Sequence, residues 1–119
     1  MLIDNKDGTV TDTETNLMWQ QETMEATNWY NAIDQCSHLH LANYADWGLP
    51  TIKELFSLVD FTKVNPCIDT NFFPGTKHYN YWSSTDCNGH AWLVHFFNGL
   101  VSYYDKSNAY YVRAVRTVK

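Results

Sequence analysis

YNYWSSTDCNGHAWLVHFFNGLVSYYDKSNAYYVRAVR, residues 79–116, holds six of the chain's eight tyrosines, and its polar positions are mostly Asn, Ser, Asp and His. Within it Ala91 to Phe97 alternates, with Trp92, Val94 and Phe96 on one face and Leu93, His95 and Phe97 on the other. Alternation with period two marks a strand, because successive side chains point to opposite sides of a sheet. One set is expected to be core and the other to face away from it. Asn98-Gly99 is a hairpin signal, so a second strand should fold back from Leu100 through Tyr104. Asp105 to Asn108 has turn composition, and Tyr110 to Thr117 is expected as a last, continuous strand. Tyrosine offers a large amphipathic contact area with few rotatable bonds, while Ser, Asn and Gly add adaptable hydrogen bonding. Binding surfaces use that mixture, although aromatic residues also favour strands for their own sake.

Outward from this stretch, 119 residues with 45% hydrophobic and 16% aromatic content fit one folded domain with a real core. The net charge is -5 with no Lys/Arg run, which argues against nucleic acid as a partner. No apolar run is long enough to cross a bilayer, so membrane insertion is not expected. Met1-Leu2-Ile3 runs directly into Asp4-Asn5-Lys6-Asp7-Gly8 without a leader pattern. Either secretion does not use that route or the leader is outside this chain.

Toward the N-terminus, Asp7-Gly8 and Thr15-Asn16 are turn signals around short strands at Thr9–Thr11 and Leu17–Trp19. Asn5, Asp7, Gly8 and Glu14 partly match a calcium loop. Ile3 would fill its first ligand position, so a plain turn is expected there. Thr27 to Leu39 carries a helical stripe of Trp29, Ala32, Ile33, Cys36 and Leu39, with Thr27 as its cap. Thr51 starts a second helix with a capping box to Glu54, and Ile52, Leu55, Phe56 and Val59 form its core face. Asp60 to Lys77 reads as irregular.

Three cysteines leave at least one thiol unpaired. Cys36 is expected to pack as a small apolar group, and the sequence leaves open whether Cys67 and Cys87 pair. Cys87, His90 and His95 do not have the spacing of a structural zinc site, and no metal or cofactor is expected. A thiol oxidase using Cys67 and Cys87 lacks any residue that would activate a sulfur.

The ordered motifs Asp-Gly-Thr-Val-Thr-Asp-Thr (7–13), Leu-Met-Trp (17–19), Asp-Trp-Gly-Leu-Pro-Thr (46–51), Glu-Leu (54–55), Tyr-Trp-Ser-Ser-Thr (81–85), Trp-x-Val-x-Phe (92–96), Gly99, Lys106 and Val-Arg-Ala-Val-Arg (112–116) resemble the DUF1566 family, the module at the C-terminus of the Legionella collagen-like adhesin. The family is similar to the C-type lectin fold in the variant shared with formylglycine-generating enzymes. The resemblance implies an α+β class, with two helices packed around a twisted, mainly antiparallel sheet. Two positions depart from the family pattern. Gly48 stands where an arginine is usual, and Ala114 stands where a cysteine often occurs that would pair with the one on the first helix.

The resemblance implies binding rather than catalysis, because such domains occur in surface adhesins. The fold also carries the variable proteins of diversity-generating retroelements, in which adenine-directed mutagenesis rewrites codons of the C-terminal binding face. Between Lys77 and Val112 there is no Glu, Gln or Met, residues that codons ending in C or T cannot encode. The expected variable ligand-binding face lies within 79–111 and comprises Asp86, Asn88, His90, Leu93, His95, Phe97, Asn98, Ser102, Tyr103, Tyr104, Asn108, Tyr110 and Tyr111. Trp82, Trp92, Val94, Phe96, Val112 and Val115 are expected to form its framework. The implied partner is a protein or glycan on a target cell surface, met by a domain that is cell-surface, secreted or virion-displayed. A fixed-specificity carbohydrate-binding adhesin domain is the alternative. The calcium-dependent sugar motifs Glu-Pro-Asn, Gln-Pro-Asp and Trp-Asn-Asp are absent.

Overall fold

In a computed structural model describing residues 1–119, nine strands and two helices follow one another as β1 (Leu2–Asp4), β2 (Thr9–Asp12), β3 (Leu17–Gln20), β4 (Met24–Thr27), α1 (Trp29–Ser37), α2 (Ile52–Phe56), β5 (Asn80–Cys87), β6 (His90–His95), β7 (Leu100–Asp105), β8 (Tyr110–Val112) and β9 (Val115–Thr117). The class is α+β. The strands make two sheets, ordered β1-β2-β3-β9 and β4-β8-β5-β6-β7. Every pairing is antiparallel except β5 with β8, which meet in parallel at Tyr81 and Tyr111.

The N-terminal turns form as their residues require. Asp7 accepts from the amide and hydroxyl of Thr9, and the Asn5 amide group donates to Thr9 and Thr11. These bonds hold the segment as a tight turn. Helix α1 is capped one residue later than the spacing implied. Asn28 accepts from the Asn31 amide at 2.9 Å, while Thr27 ends β4. The expected capping box at α2 is complete, with the Thr51 hydroxyl accepting from the Glu54 amide at 3.2 Å and the Glu54 carboxylate accepting in return at 2.9 Å. The helix stops at Phe56, so Val59 packs from the segment beyond it. The chain then runs without helix or strand to Asn80, placing Ile68 and Phe73 in the core.

Two expectations need correction. The last strand is not continuous, because the chain leaves one sheet at Val112 and joins the other at Val115. Gln20 forces the crossing, since its amide donates to the Ala114 carbonyl and its side-chain oxygen accepts from the Ala114 amide, both at 3.0 Å. Arg113 is thereby turned inward, donating to the carbonyls of Gln20 and Gln21 and to the hydroxyls of Thr23 and Thr76 over the Phe73 ring. No carboxylate neutralises it, and burial pulls its pKa down to about 10.

Strand β6 keeps the two faces that its alternation implies, but Leu93, expected to point away from the core, is fully buried. The strand is interior to its sheet, and both faces are covered. On the inner face Val94 and Phe96 join Leu55, Leu58, Tyr81, Trp19 and Val10. On the outer face Ala91 and Leu93 join Trp82, Val112, Trp47 and the α1 residues Ala32 and Cys36. Trp92, expected as core, is only half-buried. It lies beyond the first cluster and packs edge-on against Tyr103 at 4.9 Å.

Candidate ligand-binding face

Cross-strand partners in an antiparallel ladder share a face. The register therefore builds the outer face of β5–β6–β7 in rows: Asp86, Ala91 and Tyr104; then Trp82, Leu93 and Ser102; then Asn80, His95 and Leu100. Trp82, Ala91 and Leu93 are the buried floor with Asn80 buried beside them, and Asp86, Tyr104, Ser102, His95 and Leu100 remain half-buried or exposed. Tyr110 from β8 closes over Trp82 with ring centres 4.9 Å apart and meets Tyr104 at 5.9 Å and Tyr79 at 6.2 Å. Tyr79 meets His95 edge-on at 5.5 Å, and His95 stacks on Phe97 at 5.9 Å. The result is an unbroken aromatic strip, Tyr104–Tyr110–Tyr79–His95–Phe97. Its members are half-buried or exposed, Tyr104 and Phe97 by 44% and 48%.

The strip is held from both ends. At one end the Asp86 carboxylate pairs with Lys106 at 3.1 Å, and the Lys106 ammonium sits 4.2 Å from the centre of the Trp29 ring on α1. The indole of Trp29 donates to the Ser83 carbonyl and that of Trp82 to the Thr27 carbonyl, so β5 is tied both to α1 and to the end of β4. At the other end Gly99 has φ +80°, and a Cβ there would come within 2.9 Å of the Phe61 ring. Only glycine lets the 57–68 segment pack beneath this hairpin, where the amides of Asn65 and Cys67 donate to the carbonyls of Phe97 and Phe96. One polar atom of the strip is unserved: Nδ1 of His95 is buried with no hydrogen-bond partner. Burial also withdraws the hydroxyl of Tyr110 from solvent, and together with the neighbouring Tyr79 and Tyr104 it raises the phenol's pKa.

Of the residues expected to bind, the structure brings together His95, Phe97, Ser102, Tyr104 and Tyr110, with Asp86 in the outermost row. Asn98 lies at the hairpin end beside Phe97, and Asn108 in the β7–β8 turn beside Tyr110. Leu93 is floor and unavailable to a ligand. Tyr103 and His90 lie on the opposite face, where Tyr103 meets His90 at 5.8 Å, and Asn88 occupies the two-residue turn between β5 and β6 with φ 57°. Tyr111 also points away, tilted against Tyr81 and lining a groove with Thr23, Met24 and Lys77. Sequence reasoning missed Tyr79 and Leu100. Tyr79 belongs to the tyrosine-rich stretch, and Leu100 is an exposed leucine opposite His95, so composition and register together point to both.

The thiols are separate. Cys36 and Cys67 are buried, Cys87 is exposed, and none is bonded to another. Burial pushes the Cys36 thiol up to about 12 and raises that of Cys67. No three His, Cys, Asp or Glu side chains are grouped to hold a metal ion, and no helix is long and apolar enough to cross a membrane.

The remaining sequence motifs tie β9 to the segment between the two helices. Arg116 donates to both oxygens of Asp46 at 2.6 and 3.2 Å and lies 3.7 Å over the Tyr44 ring. Gly48 exchanges paired main-chain hydrogen bonds with Val115 at 2.9 Å. Cys36 and Ala114 fall in one buried cluster. No curated protein matches the chain. The profile of the family described as the Lcl C-terminal domain matches residues 8–116, which takes in both helices and every strand except β1 and the last residue of β9, and the chain belongs to that family.

Proposed function

We propose that this domain is a non-enzymatic ligand-recognition module of C-type-lectin type, and that its aromatic strip is the diversified receptor-binding surface of a retroelement variable protein. The observation that carries the reading is the strip itself: aromatic rings in continuous contact, half in solvent, over a floor that is fully buried. Such rings give contact area without losing much side-chain entropy, and their exposure makes them costly to keep unless something covers them. The same separation of layers supports diversification. Substitutions at Tyr104, Ser102, Phe97 or Asn108 change the surface while Trp82, Leu93 and Val112 keep the fold. The ligand is a protein or glycan on a target cell surface, met by a domain displayed on a cell or virion or secreted.

A thiol oxidase finds no support, because the buried thiols are shifted away from the reactive thiolate and Cys87 stands alone at a turn. A fixed-specificity glycan adhesin is the second reading. It is favoured by the exposed ring of Tyr104, whose flat apolar face suits a pyranose without a metal.

The test is the nucleotide sequence of the gene and its downstream flank in related isolates. Substitutions confined to adenine-containing codons of the strip and its turns, beside a near-copy repeat, are expected. Uniform sequence without a repeat overturns diversification and makes a glycan array the deciding experiment.

A further inference from the structure

Strand β7 is one edge of the five-stranded sheet, and short of its terminal Asp105 it carries none of the devices that usually blunt an edge. The other edges have one. Strand β1 is only three residues long, β4 is bulged and carries Glu25, and β9 is covered by Gly48. By contrast Leu100 to Tyr104 contains no charge, no proline and no bulge, and Leu100, Tyr103 and Tyr104 are exposed on its two sides.

The ladder fixes which main-chain groups are free. The Phe96 amide donates to the Tyr79 carbonyl. In an antiparallel sheet bonded and non-bonded pairs alternate, so β6 bonds to β5 through residues 92, 94 and 96 and to β7 through 91, 93 and 95. Their β7 partners Leu100, Ser102 and Tyr104 therefore turn inward. The Lys106 amide, bonded to the Gly89 carbonyl, continues that phase. Val101 and Tyr103 turn their N–H and C=O groups outward.

We propose that these groups pair with a second copy of this chain, β7 to β7 and antiparallel, about a two-fold axis through Ser102. Each Val101 then exchanges both main-chain hydrogen bonds with the second copy's Tyr103. Side chains match on both faces: Val101 against tyrosine, Leu100 against the second copy's Tyr104, and Ser102 against itself. Asp105, the only charge of the strand, falls opposite Gly99 of the second copy. A register centred on Tyr103 would instead set Asp105 against Val101. This self-complementarity selects a second copy over an unrelated strand. The axis is perpendicular to the sheet, so both aromatic strips point the same way and one target surface can engage both. The inference concerns assembly and stands apart from what the strip binds.

The test is sedimentation of the full chain from micromolar to millimolar concentration, with hydrogen exchange followed over the same range. A monomer–dimer equilibrium is expected, strengthening with added salt because each copy carries a charge of -5, and the amides of Val101 and Tyr103 gain protection as the dimer forms. Ser102→Asp sets like charges face to face and is expected to weaken association at least about tenfold, while mixing Ser102→Asp with Ser102→Lys restores it as a heterodimer. A monomer throughout, a trimer, a dimer indifferent to Ser102→Asp, or a dimer without protection at Val101 and Tyr103 overturns the proposal. The exchange measurement needs no variant and decides the matter even where a substitution impairs folding.

Discussion

Trp82→Ala and Tyr104→Ala remove aromatic side chains from the same face of one sheet, yet their effects should differ severalfold. Trp82 is fully buried, its indole donates to the Thr27 carbonyl at 2.9 Å, and its ring meets Tyr110 at 4.9 Å. Truncating a buried aromatic costs about 3–5 kcal/mol. Orphaning the Thr27 carbonyl adds about 1 kcal/mol, and the lost ring pair about 0.5–1.5 kcal/mol. Together these are about 4.5–7.5 kcal/mol, comparable with the whole stability of a domain in the lower half of the usual range of about 5–15 kcal/mol. Tyr104 is 44% exposed, and the only ring it meets is Tyr110 at 5.9 Å. Its removal should cost about 1 kcal/mol or less. Trp92→Ala falls between, at about 2 kcal/mol, because that indole is only half-buried. Urea titration followed by circular dichroism measures all three. Trp82→Ala is expected to be largely unfolded without denaturant, with Tyr104→Ala close to wild type in midpoint but changed in binding. Equal losses from Tyr104→Ala and Trp82→Ala would refute the division into floor and exposed strip.

His95→Phe keeps the ring between Tyr79 and Phe97 and removes the unserved Nδ1. Calorimetry should show a gain of about 1 kcal/mol, and a loss would mean that the nitrogen has a partner in solution. Under native conditions iodoacetamide should label Cys87 alone, with Cys36 and Cys67 reacting only after denaturation; rapid native labelling of Cys36 would contradict its burial. The Arg116 guanidinium lowers the Asp46 carboxyl from 3.8 to about 2. Because the folded value lies below the unfolded one, this pair contributes stability above about pH 4 that is lost as pH falls toward 2. Asp46→Asn should therefore flatten the acid limb of a melting-temperature profile in that window, and an unchanged limb would dismiss the pair. Arg113→Lys should cost about 2–3 kcal/mol by thermal melting, because one ammonium cannot span the carbonyls and hydroxyls that the guanidinium reaches. A neutral result would mean that the cradle closes around any cation.

Much of the fold was legible because it rests on local chemistry. The capping box at Thr51, the turns at Asp7-Gly8 and Asn98-Gly99, and the alternation of β6 each follow from neighbouring residues. What escaped depends on distant partners. Leu93 looks like an exposed position because alternation implies one wet face, and only the packing of Trp82, Val112 and α1 against it says otherwise. The break at Arg113-Ala114 is invisible in a run of strand-forming residues, because Gln20 imposes it from the far end of the chain. Composition found the aromatic stretch but could not sort it by side, so Tyr103 and Tyr111 were grouped with residues whose faces they do not share. Register made that separation, and it also added Tyr79 and Leu100.

The crossing at Arg113-Ala114 also sets when the domain can fold as it leaves the ribosome. Strand β3 waits for β9, since Leu17 pairs with Thr117 and Trp19 with Val115, while β4 reaches β5 only through β8. Until residues 110–117 emerge, neither sheet is complete, and Met18, Trp19 and Trp82 lack part of their cover. Assembly is therefore held back to the final stage of the domain's synthesis. A chain ending just short of Tyr110 would hold nearly all the apolar residues of the domain yet could complete neither sheet.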